Sequence, residues 1–148
     1  MHRVNFVVVG GICAVLHGAP VATFDLDVVH SRDPANIRRL LKALRMLEAR
    51  YRLTGRGHGG PDESHLASPG HQLLITRYGP LDLLGSIGAG RDYQALLGHT
   101  VRMRIGHRLT VRLLDLPTLI ETKQETGEEK DRAVLPILRS TLEEKQRQ

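Results

Sequence analysis

The chain of 148 residues has no tryptophan, one cysteine, and as aromatics only three tyrosines and two phenylalanines. A lone Cys13 excludes an intrachain disulfide framework and any zinc site built on cysteines. So few rings argue against a stacking platform for single-stranded nucleic acid. No stretch approaches the roughly 20 apolar residues needed to span a bilayer, so no membrane partner is expected. Residues 1–9 carry a single Arg3 and a brief apolar run before Gly10-Gly11, too little for a secretory signal. The expected compartment is the cytoplasm. What is present is ordinary for a globular protein: 41% hydrophobic and 25% charged residues, which excludes a disordered tail or a collagen-like repeat. The length suits a single domain over residues 1–148. Twenty-one Lys and Arg against 16 Asp and Glu leave a net charge of +5, a surface suited to polyanions or simply to solubility.

Patterning predicts an α/β chain. Residues 3–9, rich in Val and Phe, read as a buried strand stopped by Gly10-Gly11, with a short helix over 12–17. Residues 23–29 alternate as a second strand, with Thr23, Asp25 and Asp27 on one face and Phe24, Leu26 and Val28 on the other. A helix over 35–50 follows Asp33-Pro34, its stripe formed by Leu40, Leu41, Leu44 and Leu47. Residues 54–70 form the longest irregular stretch; His58, His65 and His71 in and beside it match no zinc spacing. Strand segments at 72–76 and 81–84 flank a turn at Tyr78-Gly79-Pro80. Residues 101–113 read as a hairpin with Gly106-His107-Arg108 as a three-residue loop, pairing Ile105 with Leu109, Met103 with Val111 and Val101 with Leu113. That register sets Arg102 opposite Arg112, with Arg104 beside them. A helix from Asp115 to about Thr126 ends at Gly127. A last helix starts at Glu128, bent or restarted at Pro136.

The chemistry concentrates in one constellation. Gly10-Gly11 after a strand lets the backbone approach a phosphate chain, and the next helix offers free N–H groups. Asp25 and Asp27, two apart on a strand, point the same way and make a hard oxygen site suited to Mg²⁺. Asp82, inside Leu81-Asp82-Leu83-Leu84, is expensive to bury without a cation and is the candidate third carboxylate of a metal clamp. Taken singly, a Gly-Gly is a turn and an Asp-x-Asp an exposed strand edge; their order and spacing carry the signal.

The stretch from Val8 through Gly10-Gly11, His17-Gly18 and Thr23-Phe24-Asp25-Leu26-Asp27 resembles the opening of the DNA polymerase β-like nucleotidyltransferases. It is most similar to the AbiEii/AbiGii-type and minimal nucleotidyltransferase branch. The resemblance continues through Leu81-Asp82-Leu83-Leu84, Gly90-Arg91-Asp92-Tyr93, Leu119-Ile120-Glu121-Thr122-Lys123 and Gly127-Glu128-Glu129-Lys130-Asp131. It implies the nucleotidyltransferase fold: a mixed, mostly antiparallel sheet flanked by helices, with a helical C-terminus. It implies Asp25, Asp27 and Asp82 as catalytic metal ligands for Mg²⁺, or Mn²⁺ in its place. Gly10 and Gly11 are then nucleotide-binding, and Lys123 a nucleotide-side or structural lysine. Lys130 and Asp131 match a Lys-Asp pair read as helix packing or salt bridging. The implied reaction moves a nucleoside monophosphate from an NTP to a hydroxyl of a protein or RNA acceptor, with a cognate toxin or antitoxin chain as a partner.

Two positions depart from that pattern. Val21 and Glu128 stand where the family commonly has arginine, which removes cations from where phosphates or acidic partners would sit. Those losses favour the alternative, a non-catalytic nucleotide-binding or antitoxin-like regulatory module of the same fold. The arginine face of the hairpin is a separate candidate surface for an RNA backbone or an acidic partner. His17 reads as a packed, hydrogen-bonded residue.

Overall fold

The computed structural model describes residues 3–52 and 59–147. Its strands are β1 (Phe6–Val9), β2 (Leu26–His30), β3 (Arg50–Tyr51), β4 (His71–Thr76), β5 (Gly79–Leu84), β6 (Thr100–Ile105) and β7 (Leu109–Leu114). Its helices are α1 (Gly10–Leu16), α2 (Pro34–Met46), α3 (Glu63–Ala67), α4 (Tyr93–Leu97), α5 (Leu116–Thr126) and α6 (Glu129–Gln146). His58 lies outside the described residues.

The valines of β1 are buried on both faces, with Val7, Val8 and Val9 at 0%, 4% and 2% exposure. Side chains alternate across a strand, so a strand buried throughout must be covered on both sides. It lies inside one sheet of order β3-β4-β5-β2-β1-β7-β6. β1–β7 and β2–β5 run parallel, and the other pairings are antiparallel. The core continues through Val28, Val29, Leu74, Leu83, Leu113 and Leu114 into Leu40, Leu96, Leu119 and Leu138 of the helices. Among the described residues no helix is long and apolar enough to cross a membrane.

The β6–β7 hairpin has the register read from its sequence, including Arg102 opposite Arg112 and the loop between Ile105 and Leu109. α5 begins at the Asp115 cap, whose carboxylate accepts from the Thr118 N–H, and ends at Gly127 in the left-handed region. α6 runs unbroken through Pro136.

Several boundaries differ from expectation; the turn between β4 and β5 is Arg77-Tyr78, with Gly79 and Pro80 already in β5. Gly10 and Gly11 do not stop before the helix but open it. β2 begins at Leu26, because β1 has already ended with Val9 opposite Asp27 and offers no ladder further back. α2 stops at Met46; Glu48 takes a left-handed φ of 54°, and Arg50–Tyr51 then pairs with β4. The stretch expected to be irregular contains α3, capped by Asp62 and His65 and anchored by the fully buried Leu66. His65 thus serves as a cap, its Nδ1 accepting from the Asp62 N–H, while His71 contacts the Ser86 carbonyl.

Candidate active site

The parallel register of β2 and β5 sets Asp27 directly beside Asp82. Registered neighbours project to the same face of a sheet, so two carboxylates are forced together. Asp82 is buried at 9% exposure, and the Asp27 Oδ1 is buried without a hydrogen-bond partner. Burial first, then the charge and hydrogen bonding of Asp82 and the charge of Asp25, push the Asp27 carboxyl up to about 7; Lys123 pulls the other way.

The glycines make this crowding possible. A Cβ on Gly10 would collide with Asp27 Oδ2, and Gly10 holds a φ of +69° that disfavours any side chain. A Cβ on Gly11 would lie 2.6 Å from Thr23 Oγ1. The start of α1 is therefore packed against the Asp27 carboxylate and Thr23.

Gly10, Gly11, Asp25, Asp27, Asp82 and Lys123 all line one cleft of about 640 Å³. All six residues singled out from sequence thus meet in one place. Lys123 bridges Asp131, Nζ to Oδ1, at 3.2 Å across α5 and α6. Asp131 is accordingly the partner of Lys123, whereas Lys130 reaches Glu128 at 3.6 Å on the exposed surface.

Arg52 escaped the sequence reading. Its Nη2 donates to Asp82 Oδ1 at 2.9 Å and its Nη1 to the Leu74 carbonyl at 2.7 Å. The signal was half visible: a carboxylate in an apolar run demands a cation, but sequence does not say which. Val21, at one of the two positions where an arginine was missing, packs against the core; Glu128, at the other, lines the cleft. The Gly90-Arg91-Asp92-Tyr93 segment is a clamp. Arg91 Nη2 donates to Glu125 at 2.7 Å and to Glu121 at 3.3 Å, and Asp92 caps α4.

His17 stands outside the cleft. Its Nε2 meets the Leu114 carbonyl at 2.8 Å and its Nδ1 meets Lys145 Nζ at 2.6 Å, tying α1 to the end of α6. Burial, foremost, and Lys145 hold its pKa below the usual histidine value, against the Leu114 hydrogen bond and Asp115.

Among the described residues no group of three His, Cys, Asp or Glu side chains is disposed as a ready metal shell. The three carboxylates expected to form a clamp share the cleft without closing into one, and Arg52 holds an oxygen of Asp82. The unpartnered Asp27 oxygen beside Asp82 still fits a hard cation. Mg²⁺ needs only one or two carboxylates when water and substrate phosphates supply the rest.

The mixed sheet with its flanking helices and helical C-terminus has the fold of a solved nucleotidyltransferase-like structure. No protein-family model matches the sequence, and no curated protein does. Among solved structures, the chain is similar to the crystal structure of a putative nucleotidyltransferase from Thermotoga maritima, with a TM-score of 0.56 and 18% sequence identity. The match covers 96% of this chain and 84% of that one.

Proposed function

We propose that this protein is a nucleotidyltransferase that moves a nucleoside monophosphate from an NTP to a hydroxyl of a protein or RNA acceptor, releasing pyrophosphate. The observation that carries the reading is the Asp27–Asp82 pair, held side by side with a bare buried oxygen in the cleft that also holds Gly10, Gly11 and Asp25. Two crowded carboxylates weaken folding, and a cation that binds between them is the chemistry that offsets the cost.

Asp25, Asp27 and Asp82 are the residues that would hold Mg²⁺ or Mn²⁺. Such an ion, when bound, polarises a phosphoryl oxygen and neutralises developing charge. Gly10 and Gly11, packed against Asp27 and Thr23, bring the start of α1 to the cleft, where backbone N–H groups would meet the phosphate chain. Asp82 would help activate the acceptor hydroxyl by taking its proton. Lys123, paired with Asp131, brings an ammonium group to the lining of the same cleft. The sequence motifs favour the AbiEii/AbiGii-type or minimal branch, acting in the cytoplasm within a toxin–antitoxin or defence pair. The exposed Arg102 and Arg104 and the half-buried Arg112 form the candidate acceptor face; among the described residues no carboxylate pairs with them.

A second reading is a nucleotide-binding or antitoxin-like regulatory module without turnover. It is favoured by Val21 packing against the core where a cation was expected, by the acidic Glu128 at the cleft, and by Arg52 on Asp82. The deciding experiment offers each of four α-labelled NTPs with Mg²⁺ and a cell lysate, beside the Asp25→Asn, Asp27→Asn double variant. Label on one protein or RNA band, absent in the variant, supports transfer. Mg²⁺-dependent NTP binding without label supports the module. Neither transfer nor binding would sink both.

A further inference from the structure

A carboxylate buried in an apolar strand persists only if its charge is answered. Asp27 and Asp82 share a register position, yet they are answered differently. Asp27 Oδ1 is left bare. Asp82 Oδ1 accepts from Arg52 at 2.9 Å, with side-chain exposures of 28% for Arg52 and 13% for Asp82.

Arg52 is built into that position. It directly follows β3, the two-residue edge strand, and its backbone N–H donates to the Leu73 carbonyl at 3.0 Å. Its second guanidinium nitrogen is held by the Leu74 carbonyl. Leu73 is in turn the register neighbour of Asp82 across β4–β5. Arg52 therefore reaches over β4 from the edge, and its fork spans a backbone oxygen and a carboxylate oxygen. A fixed, always-charged guanidinium at this spot neutralises one carboxylate of the pair and repels a second cation arriving there.

We propose that Arg52 is a resident counter-ion that competes with a divalent cation for the Asp82 carboxylate, so that bringing Asp82 onto the metal requires Arg52 to let go. The inference rests on reading the carboxylates as a cation site, and it adds a brake on that site set by the chain itself. A nucleotide phosphate offers the released planar guanidinium a bidentate partner. Cation and nucleotide then favour each other's binding, because each removes an obstacle to the other.

The test is Mn²⁺ binding by the full chain without nucleotide, followed by the electron paramagnetic resonance signal of the free ion. Circular dichroism checks the fold of every variant. Arg52→Gln should bind Mn²⁺ about tenfold more tightly than the unaltered chain, within the usual range of such couplings. Arg52→Lys, which keeps the charge, should stay close to the unaltered chain. Arg52→Met serves as a second neutral variant if Arg52→Gln folds poorly. Equal or weaker binding in the neutral variants, with binding abolished by Asp25→Asn, Asp27→Asn, overturns the competition while the cation site stands. Mn²⁺ binding by neither the unaltered chain nor the neutral variants overturns the cation reading and the competition together.

Discussion

Replacing Asp27 by Asn should stabilise the protein, and the gain should depend on pH. The Asp27 carboxyl is pushed from 3.8 up to about 7, by burial first and by Asp82 second. At about 1.4 kcal/mol per pH unit, that rise weighs about 4 kcal/mol against the ionised form. The side chain is only half-buried, so solvent screening brings the figure to about 2 kcal/mol. Below pH 3.8 the carboxyl is protonated in folded and unfolded chains alike, and nothing is lost. As pH rises from there to about 7, the unfolded chain releases its proton while the folded chain retains it, and the folded state loses ground. Above about 7 the loss is complete and constant. Asn carries no charge, so in thermal melts with a chelator the variant should melt about 4–8 °C higher at pH 8. The gap should close toward pH 4. A gap that stays flat across this range, or an Asn variant that melts lower at pH 8, would refute the electrostatic reasoning.

Three further outcomes follow from the packing. Gly11→Ala pushes a methyl group to within 2.6 Å of Thr23 Oγ1 and should cost about 1–3 kcal/mol in urea unfolding; adding Thr23→Gly should restore most of it. Asp131→Ala leaves the Lys123 ammonium unanswered in a site where the two side chains are only 21% and 10% exposed, and should cost about 2–3 kcal/mol. The double change Lys123→Met, Asp131→Leu should cost less than the single one in the same assay. Arg102→Gln with Arg112→Gln removes a like-charge cross-strand pair and should slightly raise stability. If the arginine face receives an RNA backbone, the double variant also lowers the salt slope of binding to a single-stranded RNA probe by about 1.4. An unchanged slope counts against that face.

Sequence was most legible where structure is local. The β6–β7 register follows from its own side-chain pattern, and α5 from Asp115 and Gly127 at its ends. Asp25 and Asp27 were visible from their Asp-x-Asp spacing after Gly10-Gly11, and Asp82 because an acidic residue in an apolar strand breaks the pattern around it. The rest depends on neighbours that are remote in sequence. α3 and α4 are five residues each, too short for a helical period to register, and were betrayed only by their caps Asp62 and Asp92. Nothing in the sequence marked Arg52, because its role exists only once β3, β4 and β5 lie side by side. The tie between Lys123 and Asp131 joins two helices across Gly127, which no single-helix pattern contains.

The parallel pairing of β2 with β5 also has a kinetic consequence. The hairpins β4–β5 and β6–β7 close over short turns and can form early, whereas β2 meets β5 only after the chain has passed through α2, β3, α3 and β4. Repulsion between Asp27 and Asp82 is therefore absent while the hairpins form and arises when the long loop shuts. Slower unfolding of Asp27→Asn at an unchanged folding rate is the expected sign that this strain enters after the folding barrier.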